Sequence, residues 1–180
     1  MKNQNTKKLA YAALFLALCL VLPMLTGQIP QIGSMLLPMH IPVLLCGLVC
    51  GWQYGAAVGF VAPLLRSVLF GMPPMYPVAI AMAFELLTYG LVIGLVYRRM
   101  AQKGAAGVYA ALLTAMVAGR LAWGVAEVVL LGLGGKAFTA QAFLAGALLN
   151  AVPGIIVQLV LIPAVMAALQ KAGAVKEYAE

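Results

Sequence analysis

The side chains most able to do chemistry in this sequence are polar or charged groups that interrupt long apolar stretches. They are Arg66, Glu85, Arg120, Glu127, Asn150 and Gln158. A charge at the centre of a bilayer costs at least about 2.5–3.5 kcal/mol, so each charged group must face protein or water and find a partner. The two arginines and two glutamates sum to zero charge. They are suited either to pair with one another or to line a cavity for a polar solute.

The composition indicates that these groups belong to a membrane protein. Of 180 residues, 65% are hydrophobic and 8% are charged, whereas soluble proteins have about 45–50% and about 25%. A spanning helix satisfies its own backbone hydrogen bonds and needs about 20 apolar residues. We therefore predict an all-α membrane protein, with a single bundle of six transmembrane helices in one domain, residues 1–180. The predicted spans are 9–26, 37–51, 54–70, 78–97, 108–131 and 142–169.

Positive charge predicts the orientation of the bundle, because cytoplasmic loops are enriched in lysine and arginine. Basic residues precede the first span, follow the fourth and follow the sixth, positions that six crossings place on one side: Lys2, Lys7, Lys8, Arg98, Arg99, Lys103, Lys171 and Lys176. We therefore predict a multi-pass protein of the cell membrane with cytoplasmic N- and C-termini. A net charge of +7 distributed in this way indicates membrane topology, not a nucleic-acid partner.

Several of the polar groups are predicted to lie at similar depths. At about 1.5 Å per residue, Glu85, Glu127 and Asn150 lie roughly 10, 6 and 12 Å below the outer ends of their helices. Arg120 and Glu127 are seven residues apart and share one helix face, with Trp123 between them. We favour an outward-facing substrate cavity over purely structural pairing, because a structural device rarely gathers on several helices at one depth.

The segment 71–77, GMPPMYP, cannot continue a helix and is too apolar to extend freely into water. We predict that it folds over the outer mouth as a lid, with Met72 and Tyr76 as candidate ligand contacts. Arg66, near the outer end of the third span, is expected either to reach the rim or to meet a ligand carboxylate. Kinks that open space between helices are predicted at prolines within spans: Pro63, Pro153 and Pro163.

Small residues predict close helix packing. Glycines recur every four residues across the second and third spans and again in the fourth: Gly47, Gly51, Gly55, Gly59, Gly90 and Gly94. We interpret them as faces that let two backbones approach closely, interrupted by a tight turn at 51–55.

Other candidate chemistry is weak. His40 is the single histidine and has no cysteine or carboxylate neighbour at metal or triad spacing, so a loop or pocket-rim role is expected. The three cysteines lie in apolar runs and suit buried packing. The sequence has no Walker A lysine loop for ATP. We predict no catalytic residue, no metal site and no cofactor.

Three stretches of the chain match a known pattern in their order and spacing. A basic N-terminus leads into LAYAALFLALCLVLP, the second and third spans read HIPVLLCGLVCGWQYGAAVGF, and the last span contains AVPGIIVQLVLIPAV. In these features the chain resembles the substrate-binding S components of energy-coupling factor (ECF) vitamin transporters. The resemblance implies a six-helix subunit, not an enzyme, that captures a vitamin or related micronutrient from outside. It also implies two kinds of partner, a coupling transmembrane subunit and two cytoplasmic ATPase subunits.

The resemblance also implies an interface and a ligand region. In that family an Ala-x-x-x-Ala motif on the first helix meets the coupling subunit, and Ala13 and Ala17 have this spacing. The family ligand lies between the first and third loops and helices four to six, where most of the polar groups fall, without residue-by-residue correspondence. Loops 27–36 and 71–77 are expected to close over it. Candidate substrates are pantothenate, riboflavin, folate, pyridoxine and thiamine-related compounds.

Three other functions remain open at this point. A stand-alone secondary transporter of a small polar solute is the main alternative, although six helices show no evident inverted repeat. An intramembrane enzyme that uses Glu85 or Glu127 as a general base lacks a nucleophile or metal motif. A purely structural assembly subunit predicts that Arg120 and Glu127 matter for folding alone.

Overall fold

The computed structural model describes residues 2–25, 35–135, 137–146 and 150–173. Within these ranges the protein is helical, without strands. The helices are α1 (Lys2–Leu25), α2 (His40–Cys50), α3 (Trp52–Phe70), α4 (Ile80–Met100), α5 (Ala105–Leu133), α6 (Ala140–Leu144) and α7 (Val152–Lys171). A π-helical turn, Met75–Ala79, leads directly into α4, and a 3-10 turn, Ala101–Lys103, connects α4 to α5.

Five of the described helices are long and apolar enough to cross a membrane. They are α1, α3, α4 with its π-helical turn, α5 and α7. The shorter α2 has 11 residues and extends about 16 Å, roughly half of the hydrocarbon core. Ten of its residues are buried, which explains why its sequence is apolar on every face. It lies inside the bundle, where α1, α3, α4 and α7 surround it.

The predicted sixth span is wrong at its start. Instead of one helix from residue 142, the structure has the five-residue α6, and α7 begins at Val152. Pro153 lies in the first turn of α7, where its missing amide hydrogen leaves no helical bond unmade. It therefore starts a helix and does not kink one, whereas Pro63 and Pro163 do lie inside helices.

Glycine packing between α2, α3 and α4 is confirmed. A Cβ on Gly55 would lie 2.7 Å from Gly47 Cα and 2.8 Å from Gly90 O. A Cβ on Gly59 would lie 2.2 Å from Leu86 O. These neighbours are backbone atoms, which cannot rotate away as a flexible side chain can. Only glycine therefore allows the three helices to approach this closely. The contacts also show that α3 is antiparallel to α4.

A single residue, Gly51, connects α2 to α3. Its φ of +95° lies in the region that L side chains rarely adopt, so glycine is needed there for conformation. The predicted turn is present but shorter than residues 51–55, because α3 already begins at Trp52. It folds α2 and α3 into a hairpin. The three cysteines are buried and free, as expected.

The α4 helix organises the rest of the bundle. It packs along α3 on one side and α5 on the other, while α1 rests on α2 and α3. The α7 helix contacts α5 and α2. Near the C-terminal ends of α4 and α7, Gln170 Nε2 donates to Tyr97 Oη at 3.2 Å.

The glycine contacts generate a prediction about stability. A Gly90→Ala substitution would place a Cβ 2.2 Å from Gly55 C and O, and we expect it to lower the free energy of unfolding by about 1–3 kcal/mol because overpacking forces backbones apart. Gly132→Ala is the matched control, since nothing lies within 4 Å of that site and alanine favours helix by up to about 1 kcal/mol. Thermal unfolding in detergent measures both. Equal effects of the two substitutions would contradict the packing described here.

Candidate functional site

Glu85, in the second turn of α4, is the centre of a buried group of polar side chains. Its Oε1 atom lies 2.9 Å from Arg120 Nη1 on α5 and 3.3 Å from His40 Nε2 at the start of α2. The side chains of Glu85, His40 and Arg120 are 2%, 1% and 12% exposed. Three helices therefore bring a carboxylate, a guanidinium and an imidazole together in the interior of the bundle.

Local packing fixes the orientation of these groups. Tyr89 lies one turn after Glu85 on the same face of α4, and its ring meets the His40 ring edge to face at a centroid distance of 5.1 Å. Gly119 on α5 makes room for this ring, because a Cβ there would lie 2.4 Å from Tyr89 Cδ2. The neighbouring residue of α5, Arg120, consequently reaches Glu85.

Helix register indicates that Gln158 on α7 lies at about the depth of Glu85. The Tyr97–Gln170 hydrogen bond sets the register of α4 and α7, and twelve residues separate Gln170 from Gln158 just as twelve separate Tyr97 from Glu85. The two helices run in the same direction, because Gly154 near the start of α7 packs on the backbone of residues 35 and 36, which precede α2. Gln158 is completely buried, on the side of α7 that contacts α2 and α5.

We call His40, Glu85, Arg120 and Gln158 the polar layer. Several of its buried atoms have no hydrogen-bond partner within the described part of the chain: His40 Nδ1 and Nε2, Glu85 Oε1, Arg120 Nε and Nη2, and Gln158 Oε1 and Nε2. The two ion-pair contacts of Glu85 are close but poorly aligned for hydrogen bonding. Because buried polar groups are normally satisfied, this layer is suited to contact polar groups beyond the described residues.

Aromatic side chains cover α5 one turn beyond Arg120. Trp123 stacks on Phe143 at a centroid distance of 6.1 Å and meets Phe138 edge to face at 5.7 Å. Glu127, one turn further along α5, is buried and interacts with the Trp123 side chain. Through these contacts, segment 137–146 packs against the C-terminal half of α5, which follows Arg120.

A groove of about 370 Å³ runs between α5 and segment 138–143. Its lining is almost entirely apolar and comes from Leu121, Gly124, Val125, Val128, Val129, Phe138, Thr139, Ala140 and Phe143. None of the four polar-layer residues lines it.

The other predicted site residues lie outside the polar layer. Arg66 is buried against α1, where its Nη1 donates to Leu20 O at 2.5 Å, and its guanidinium lies 5.2 Å from the centroid of the Phe70 ring. Met72 lies between α3 and the π-helical turn, in segment 71–77. Tyr76 is half exposed, and its hydroxyl donates to Leu130 O on α5. Segment 71–77 thus reaches from the end of α3 to α5, and its role as a lid stays a prediction.

The predicted depth of Asn150 is wrong. The residue lies in an exposed turn before α7, not about 12 Å inside a span, because the helix of that span begins only at Val152. Its backbone amide donates to Ala145 O at 2.9 Å, which closes the turn. Loop 27–36, the other predicted lid, lies almost wholly outside the described residues.

Comparison with known proteins identifies the family. The model of the family described as ECF transporter, substrate-specific component, matches residues 7–167. The chain belongs to this family. It is therefore a multi-pass membrane protein and a substrate-specific transporter subunit. No curated protein and no solved structure matches the chain significantly.

Sequence reasoning missed two members of this S component's polar layer. His40 was expected at a loop or pocket rim because no partner is near it in the sequence, and its partner Glu85 lies on another helix. The sequence shows Gln158 as a polar residue within a span but does not indicate that it lies near Glu85. Its position in the last span was the available signal, since a buried amide in a membrane helix usually has a partner or a function.

The pair of Glu85 and Arg120 generates a double-mutant prediction. Glu85→Leu alone leaves a buried arginine unpaired, and Arg120→Leu alone leaves a buried carboxylate unpaired, so each should lower the free energy of unfolding by about 3–5 kcal/mol. The double variant should lose much less than the sum, because no isolated charge remains. Thermal unfolding of all four proteins measures the coupling. Additive losses would mean that the 2.9 Å contact contributes nothing, and the exposed Thr114→Ala change is the control, expected within about 0.5 kcal/mol of the parent protein.

Proposed function

We propose that this S component captures a vitamin or related micronutrient from outside the cell and delivers it through a coupling transmembrane subunit driven by two cytoplasmic ATPases. The observation that carries the proposal is the polar layer in the interior of an apolar bundle. Membership of the ECF family supports the class of function, and the layer supplies a place for a polar solute. No nucleotide-binding motif in the chain competes with this role.

The state of the polar layer favours binding over a purely structural role. A structural ion-pair network usually satisfies its members, because each unmet buried donor or acceptor costs about 1–3 kcal/mol. Here Gln158 and His40 have no hydrogen-bond partner for either of their side-chain polar atoms within the described residues. A solute that bonded these atoms would recover that energy as affinity. The layer is therefore more typical of a binding site than of a structural ion-pair network.

Capture from outside is consistent with the arrangement around the layer. Segment 71–77 reaches α5 through Tyr76, and segment 137–146 packs on Trp123. Both lie on the side of the bundle that the positive charges assign to the outside. Their closure over a bound solute is the step we propose before the loaded subunit moves within its complex.

The proposed partner surface lies on α1. Ala13 and Ala17 are exposed, whereas Ala12, Phe15 and Cys19 face the core. Two small residues one turn apart leave a shallow groove in which another membrane helix can pack closely. We propose that the coupling subunit contacts this groove.

A ligand screen tests the binding proposal. Purified protein in detergent is heated with pantothenate, riboflavin, folate, pyridoxine or thiamine, each at high concentration. A compound present at 100 times its Kd should stabilise the native form by about 2.7 kcal/mol and raise the unfolding temperature. An unrelated membrane protein heated with the same panel controls for effects on the detergent. If none of the compounds shifts unfolding, vitamin capture is the wrong function.

Substitution on α1 tests the partner surface separately. Ala13→Leu with Ala17→Leu should leave ligand affinity unchanged but abolish uptake by cells that contain the full transporter, because leucine fills the groove. The matched control is Ala164→Leu with Ala168→Leu, an exposed pair with the same spacing on α7. Normal uptake by the α1 variant, or equal loss in both variants, would remove this interface assignment.

A further inference from the structure

The guanidinium of Arg120 has one occupied end and one free edge. Its Nη1 lies 2.9 Å from Glu85 Oε1, whereas Nε and Nη2 are buried without a hydrogen-bond partner within the described part of the chain. Nε and Nη2 point their N–H bonds in parallel along one edge of the planar group. This edge matches the two oxygens of a carboxylate, which it can bind through two hydrogen bonds at once.

The acidic side chains of the chain leave this edge open. Glu85 already faces Nη1 and His40 through a single oxygen. Glu127 shares a face of α5 with Arg120 but lies two turns away, about 10 Å along the axis, beside Trp123. The Tyr89 hydroxyl also interacts with the Arg120 side chain, but it offers a single oxygen. Within the described residues, no carboxylate therefore meets Nε and Nη2 of Arg120.

The donors of the polar layer also favour an anion. The charges of Arg120 and Glu85 offset each other, so the argument depends on the unsatisfied donors and not on net charge. The unsatisfied donors are the two arginine nitrogens, the Gln158 amide nitrogen and one imidazole nitrogen of His40, and the unsatisfied acceptors are Glu85 Oε1, Gln158 Oε1 and the other imidazole nitrogen. A second carboxylate would meet these donors, whereas a cationic solute would face the arginine.

We propose that the solute bound in the polar layer carries a carboxylate, which the Nε and Nη2 atoms of Arg120 bind and the Gln158 amide helps to hold. The proposal rests on the proposed function and narrows its substrate class. Among vitamins it selects acids such as pantothenate, folate and nicotinate and rejects thiamine, pyridoxine and riboflavin. Arg120 is the most exposed of the ion-paired members of the layer, so it is the member that a solute can contact first.

The test uses matched pairs of probes that differ in the carboxylate. Pantothenate is compared with pantothenol, its alcohol analogue, and nicotinate with nicotinamide; folate, riboflavin, pyridoxine and thiamine complete the panel. Affinity is measured by calorimetry on the purified full-length chain at pH 7. Only carboxylate compounds should bind, and replacing the carboxylate of the probe that binds should weaken affinity by about 10- to 100-fold.

Variants locate the binding atoms. Arg120→Lys keeps a positive charge for Glu85 but removes the pair of parallel N–H donors. It should lower the affinity for the carboxylate probe by about 10- to 100-fold. Arg99→Lys, at the exposed C-terminal end of α4, is the matched control and should bind normally. Gln158→Leu replaces a buried amide with an apolar side chain of similar size. It should fold at least as well as the parent protein and bind the carboxylate probe more weakly. If Arg120→Lys does not fold, this variant tests whether the polar layer binds the carboxylate.

The outcomes separate this inference from the function on which it rests. Tight binding of a carboxylate-free vitamin would overturn the carboxylate assignment and leave capture of a micronutrient intact. A carboxylate probe that binds folded Arg120→Lys and Gln158→Leu as tightly as the parent protein would overturn the assigned site. If no compound in the panel binds, both the proposed function and this inference are wrong.

Discussion

The contact between Glu85 and Arg120 is the constraint around which this membrane domain is arranged. Neither charge is tolerable alone in hydrocarbon, so α4 and α5 must pack where the two groups meet at 2.9 Å. His40 contacts the same carboxylate oxygen and thereby brings the start of α2 to the second turn of α4. One acidic oxygen consequently sets the positions of three helices relative to one another.

Close backbone packing makes that arrangement possible. The glycines of α2, α3 and α4 remove the side chains that would otherwise hold these helices apart, so α2 can lie inside the bundle with almost no exposed surface. The opposite side is built differently. Most of the α7 surface is exposed, and its described contacts are limited mainly to α5 and α2. The polar layer lies between the densely packed part and this more loosely packed helix.

Sequence reasoning predicted the helical membrane class, most spans, the glycine faces and two members of the polar layer. Glu85 and Arg120 could be found because a charge inside an apolar run is conspicuous. His40 could not, since its partner is distant along the chain and hydropathy says nothing about which helices touch. Asn150 was placed too deep because the apolar run from residue 142 continues through the break before α7, and composition does not distinguish a proline that starts a helix from one that bends it.

The one-residue turn at Gly51 restricts how the domain can change shape. With so short a connection, and with backbones of α2, α3 and α4 in mutual contact, these helices have no slack for sliding and behave as one rigid block. A change in the shape of this domain is then confined to the less closely packed parts, such as α7. The glycines that allow the close contacts therefore also determine which part of the domain stays fixed.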